Sequence, residues 1–141
     1  MYSHLTRLHI ARPVEEVFAA LSDVTTHPRW QKQTVRAEAL ESLPLKVGSR
    51  LAYVGQMFGR EMKMNFEVTA VDPPTVLAIR GTSGPVRPVN RMTLSSQDAG
   101  TLLESQTSLP SLLGLLIGRP LKTQQQRNLE RLKELLESKE L

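Results

Sequence analysis

Residues 121 to 139 contain neither glycine nor proline and are dominated by Gln, Arg, Leu, Glu and Lys. That composition predicts a helix of about 20 residues, roughly 30 Å long. At ~100° per residue from Leu121, Leu129, Leu132, Leu135 and Leu136 fall in one sector, while Arg127, Glu130, Lys133, Glu134 and Glu137 fall opposite. A lone amphipathic helix of that length needs an apolar surface supplied by the rest of the chain.

The surface is expected to be a sheet. Tyr2 to Ile10 reads as a strand, with Leu8 and Ile10 apolar against Arg7 and His9, and Leu5 out of phase. Pro13 then suits the first turn of a short helix with Glu15 and Glu16 at its N-terminal end and Val14, Val17, Phe18 and Leu21 at helical spacing. Asp23 to Trp30, with Pro28 inside it, is a turn or a second short helical piece. From Thr34 to Leu109, strands of roughly 6 to 11 residues are separated by turn signals. These are Pro44 with Gly48, Gly59, Pro73-Pro74, Gly84 with Pro85, and Asp98-Ala99-Gly100. Short strands and tight turns imply antiparallel pairing in sequential order.

Met62, Met64, Phe66 and Val68 alternate with Glu61, Lys63, Asn65 and Glu67, so one face is buried and the other is wet. Leu51, Tyr53, Leu77, Ile79, Met92, Leu94 and Leu103 are expected on the same buried face, in a frame that a single bulge would flip. Gly118-Arg119-Pro120 reads as punctuation before the long helix. The expected class is α+β: an antiparallel sheet of about seven strands wrapped around a long C-terminal helix, with two short helices between the first and second strands.

The 141 residues suit one domain, taken as 1–141. With 40% apolar and 23% charged residues, the chain reads as a soluble globule and not a disordered one. Cysteine is absent, which removes disulfides, thiolate metal sites and a cysteine nucleophile. The first residues carry no long apolar region, so no secretory signal is indicated and a cytoplasmic location is expected. No transmembrane segment is expected either, because the longest uncharged stretch, Ser105 to Gly118, is polar in its first half.

The net charge of +4 is spread along the chain, and no run of Lys or Arg exceeds two. Counterion release from nucleic acid needs clustered cations, and six aromatic side chains offer few stacking platforms. Nucleic acid is therefore not an expected partner. No His-x-x-x-His or Glu-x-x-His pair suggests a metal, no phosphate-binding loop of the Gly-x-x-x-x-Gly-Lys type is present, and no cofactor is implied.

The order of elements, together with particular residues, resembles the START-like (SRPBCC) superfamily with its Bet v 1-like helix-grip fold, most closely the polyketide cyclase/dehydrase and lipid-transport branch. The residues carrying the resemblance are Ile10 to Phe18, Asp23 to Trp30, Val47-Gly48-Ser49-Arg50, Val68 to Pro74, and Gly100-Thr101, and it spans essentially the whole chain. It implies a helix-grip fold with a cavity between sheet and helix that holds an apolar or amphipathic ligand. The superfamily also includes cyclases and co-chaperone-like or ribosome-associating proteins, and fold alone does not decide among them.

In such a cavity the candidate ligand-binding residues are Trp30, Tyr53, Met57, Met62, Met64, Phe66, Leu77, Ile79, Met92, Leu94, Leu103, Leu113, Ile117, Gln125 and Asn128. Methionines suit an adaptable pocket or fill an irregular core. With few rings expected in the wall, a flexible aliphatic or amphipathic ligand is favoured. Gln125 and Asn128 lie inside the leucine sector of the helix, where they either bond to the sheet or face a wet cavity. Trp30 either plugs one end of the cavity or lines the ligand site. Leu109 to Gly118 is a buried start of the long helix, a lid, or a contact for membrane or a protein partner.

Acid–base chemistry has a single weak candidate, His27, placed near the cavity entrance; His4 and His9 are expected to be exposed on the first strand. The leading expectation is a cytoplasmic binding or carrier protein for a hydrophobic or amphipathic small molecule such as a lipid, isoprenoid or polyketide. The alternatives are a polyketide cyclase/aromatase-like enzyme and a protein-interaction module acting through Leu109 to Gly118.

Overall fold

The computed structural model describes residues 2–57, 59–84 and 86–141, except the side chains of Met57 and Ser111. The Met57 side chain and Pro85, both named above, therefore lie outside the described residues. The strands are β1 (Tyr2–Ile10), β2 (Thr34–Ala39), β3 (Arg50–Met57), β4 (Arg60–Asp72), β5 (Val76–Gly81), β6 (Val89–Gln97) and β7 (Gly100–Leu109). They form one antiparallel sheet in the order β1-β7-β6-β5-β4-β3-β2. Helix α1 (Val14–Ser22) and a 3-10 helix (Val24–Arg29) separate β1 from β2, and α2 (Ser111–Glu137) closes the chain. This is the helix-grip arrangement that the resemblance implies.

Local chemistry explains the turns. Gln97 pairs with Gly100 across a two-residue connection, and Asp98 and Ala99 take φ of 50° and 58°. Two consecutive left-handed residues match the right-handed twist of a hairpin. In the 3-10 helix, the Asp23 carboxylate accepts from the Thr25 hydroxyl at 2.6 Å and caps the first turn. The one bulge in β4, between Val68 and Ala70, sits where β4 pairs with β5. It shifts the alternation so that Val68 faces Ile79 and Val71 faces Leu77, both on the inner side.

Two expectations change at the ends of the sheet. His4 and Thr6 are buried, not exposed, because the inner phase of β1 runs through His4, Thr6, Leu8 and Ile10 and leaves Leu5 outside. Helix α2 begins at Ser111, in line with Leu109 to Gly118 as the start of the long helix, and runs through Pro120, so Gly118-Arg119-Pro120 is no break before it. The glycines that looked like punctuation are packing positions: a Cβ at Gly114 or Gly118 would overlap the Tyr2 side chain of β1. That contact supports the helix across Pro120, which is exposed and leaves only the solvent-side Leu116 carbonyl without its helical donor.

The core lies under the second half of α2. Leu129, Leu132, Leu135 and Leu136 join Ile10, Val17, Leu21, Leu94 and Leu103 in one buried cluster. The first half of α2 crosses a different surface. Register aligns His4, Thr107, Asn90 and Ile79 in one row across β1, β7, β6 and β5, and Thr6, Ser105 and Met92 in the next. Polar side chains on the inner face of these strands leave room where an apolar core would have closed.

Candidate functional site

Beneath the middle of α2, from Leu121 to Leu129, is a partly open pocket of about 180 Å³. That is below the ~300 to 1,000 Å³ of drug-sized sites but above the ~150 Å³ that admits one benzene ring. Its apolar lining is Trp30, Tyr53, Phe66, Met64, Ile79 and Met92, with Leu121 and Leu129 from α2. Amides and hydroxyls are interleaved with it, Asn90 beside Ile79, Ser105 beside Met92, and Gln124, Gln125 and Asn128 on α2, together with Gln31, Gln33 and Thr34 after the 3-10 helix. Val86 and Pro88, between β5 and β6, complete it. No charged side chain lines it among the described residues.

The aromatic lining is braced from behind. His27 is buried with Nε2 at 2.8 Å from the Leu21 carbonyl oxygen and Nδ1 at 2.7 Å from the Tyr53 hydroxyl. A carbonyl only accepts, so Nε2 carries the proton and Nδ1 accepts from Tyr53. Burial pushes the His27 pKa down to about 4 and the Tyr53 hydroxyl up. At neutral pH both are uncharged. Trp30 packs on His27 at a centroid distance of 4.9 Å, and Phe66 meets Tyr53 edge-on at 5.2 Å.

The polar lining is a chain of bonds. Asn90 Nδ2 donates to Ser105 Oγ at 3.0 Å and to Thr107 Oγ1 at 2.9 Å, and the Thr107 hydroxyl donates to Gln125 Oε1 at 2.9 Å. Asn128 accepts from the Lys32 backbone N–H at 3.2 Å and donates to Gln33 Oε1 at 2.9 Å. Gln125 and Asn128 thus satisfy both sequence alternatives at once: each bonds to the rest of the fold and each faces the pocket. Trp30 does the same. It is 3% exposed, yet it lines the pocket, and its Nε1 is buried without a hydrogen-bond partner.

Of the candidate residues, the structure brings Trp30, Tyr53, Met64, Phe66, Ile79, Met92, Gln125 and Asn128 together in this pocket. Leu77, Leu94 and Leu103 lie instead in the adjoining core, which takes the apolar positions nearest the second half of α2. Met62, Leu113 and Ile117 are half-buried away from the pocket; Met62 pairs with Gly55 toward the turn end of the β3–β4 hairpin. The wall also carries more rings than expected, because Trp30, Tyr53 and Phe66 converge from three separate elements. His27 does not open onto the pocket, and both of its ring nitrogens have partners.

Gln31, Gln33, Thr34, Asn90, Ser105 and Gln124 were not singled out from the sequence. The signal for two of them was available: Asn90 is in phase with Met92 and Leu94, and Ser105 with Leu103. The segment Leu109 to Gly118 is helical from Ser111 but not wholly buried, since Leu112, Leu115 and Leu116 are 73%, 84% and 71% exposed. No group of three or more metal-ligating side chains occurs among the described residues, and no helix is long and apolar enough to cross a membrane.

Comparison with known proteins agrees with this geometry. DR_A0006 from Deinococcus radiodurans superposes with a TM-score of 0.74 at 17% identity, over 97% of this chain and 98% of that one. The di-domain ARO/CYC StfQ from the steffimycin biosynthetic pathway gives 0.79 at 15% identity, over 97% of this chain and 51% of its own length. Ara h 8.0201 gives 0.68 at 11% identity, over 93% and 97%. These similarities establish the shared fold. Among curated proteins no sequence matches significantly. The model of the family described as polyketide cyclase / dehydrase and lipid transport matches residues 5–137, and the chain belongs to that family.

Proposed function

We propose that this protein binds a hydrophobic or amphipathic small molecule between the sheet and the middle of α2, as a carrier and not as an enzyme. The observation that carries the reading is a pocket lined by aromatic and thioether side chains interleaved with amides and hydroxyls, with no charged side chain among the described residues. Such a lining suits the uncharged part of a ligand: rings and methylenes against the apolar side chains, with a few carbonyl or hydroxyl oxygens met by the polar ones.

Catalysis is less well supported. General acid–base work needs a side chain able to take or give a proton at the ligand. The nearest imidazole, His27, is spent on Leu21 and Tyr53. The exposed Leu112, Leu115 and Leu116 favour a second reading, a protein contact on the outer face of α2. A cytoplasmic setting accompanies the carrier reading.

The test uses the protein's one tryptophan. Because Trp30 lines the pocket, saturable binding of apolar and amphipathic ligands shifts its emission. Ser105→Phe, which fills the space beside it, abolishes that shift while the protein remains folded. Emission that responds to no ligand, or responds equally in Ser105→Phe, refutes the reading.

A further inference from the structure

A second, wider cleft of about 830 Å³ adjoins the pocket between α2 and residues 28–33, with Gln56 of β3 at its side. Trp30, Gln33, Gln124 and Asn128 line both, so the two spaces share a wall. The pocket carries no charged side chain, whereas the cleft is lined by Arg29, Lys32, Arg127 and Arg131 and by no carboxylate among the described residues.

These cations come from three places in the chain. Arg29 ends the 3-10 helix, Lys32 lies in the turn before β2, and Arg127 and Arg131 stand one turn apart on α2. Like charges at that helical spacing oppose each other and destabilise the helix unless something compensates. Arg131 reaches Glu134 at 3.1 Å, but Glu134 does not line the cleft. Arg29 donates to the backbone carbonyl of Glu140 and keeps its charge. Four of the 18 Lys and Arg residues that are dispersed along the sequence are gathered here by the fold.

We propose that this cleft binds the phosphate of an amphipathic ligand whose uncharged part occupies the adjoining pocket, an assignment that rests on the carrier reading. Guanidinium forks bind phosphate oxygens bidentately. The shared wall, with Trp30 at its centre, lets one molecule span both environments. The phosphate belongs either to a free ligand or to a lipid headgroup at a bilayer surface; the chemistry of recognition is the same.

Octyl phosphate and octanol, each below its aggregation limit, are titrated against the full-length protein by Trp30 emission and calorimetry. Octyl phosphate is expected to bind about tenfold or more tightly than octanol, with an advantage that shrinks as salt rises. Arg127→Gln with Arg131→Gln, and separately Lys32→Gln, reduce that advantage and leave octanol binding unchanged. Retention on vesicles of phosphatidylcholine with phosphatidylglycerol, lost in the double variant, places the phosphate on a bilayer. Binding of octyl phosphate without vesicles places it on a free ligand, and either result supports the cleft. Octanol binding as tightly as octyl phosphate, or a phosphate advantage that survives the substitutions, overturns the cleft assignment alone. If neither compound binds, the carrier reading falls with it.

Discussion

Acidification should loosen this protein through His27, and the size of the effect follows from the way the ring is held. Its Nε2–H is committed to the Leu21 carbonyl, and its Nδ1 accepts the Tyr53 hydroxyl proton. A second proton on Nδ1 would set two hydrogens against each other and place a charge in a buried site. Burial therefore holds the pKa near 4, against 6.5 for an ordinary imidazole. The unfolded chain binds this proton more readily than the native one, so stability falls as the pH drops from 6.5 toward 4. Below that window both states are protonated and this residue contributes no further loss. The interval of about 2.5 units, at 1.36 kcal/mol each, amounts to roughly 3 kcal/mol.

Urea unfolding at a series of pH values measures it, with His27→Gln as the reference. Glutamine can still donate to Leu21 but does not titrate. His4 is also depressed, first by burial and then by Lys122, and Glu16, Glu41 and Glu137 are held low by Arg12, Arg50 and Lys133. Those contributions are common to both proteins and cancel in the difference. The stability advantage of the wild type over His27→Gln should shrink by about 3 kcal/mol between roughly pH 7 and pH 4. Two curves that stay parallel to within about 1 kcal/mol would refute the reasoning.

Further substitutions probe the seat of α2 on β1 and the bonds behind the polar lining of the pocket. Gly114→Ala places a methyl group against Tyr2 Cβ; it should destabilise by about 1 to 3 kcal/mol in thermal or urea unfolding despite the better helix propensity of alanine. Tyr2→Gly in the same chain should recover part of that loss as a coupling term in a double-mutant cycle, and strict additivity would show that the contact does not hold α2 on β1. Thr107→Val keeps the shape but takes the hydroxyl from between Asn90 and Gln125; a loss of about 1 to 3 kcal/mol is expected, with weaker ligand binding by Trp30 emission, and an unchanged melting curve would mean that the bond chain is not holding the polar lining.

The parts of this molecule that its sequence made legible are those where a single physical rule acts alone. Met62, Met64, Phe66 and Val68 alternate with charges because β4 has one wet face, and the pattern survives in the structure until the bulge shifts it after Val68. The start of α2 was legible only as one of three readings of Leu109 to Gly118, because Gly118-Arg119-Pro120 carries the local signature of a break and only the approach of Tyr2 of β1 to Gly114 and Gly118 reverses its meaning. The polar lining of the pocket was hidden for a related reason. His4, Thr6, Asn90, Ser105 and Thr107 occupy inner-face positions, where alternation reads a polar residue as facing water. Register resolves the conflict by aligning them in two rows beneath one stretch of helix. A chain built to close a core would have Leu or Val there, as this one has at Leu94, four residues from Asn90, and at Leu103, two from Ser105. The residues that break the pattern therefore mark where the sheet holds a pocket, and the place to look for one in a related sequence is the polar residue that keeps the phase of a buried face.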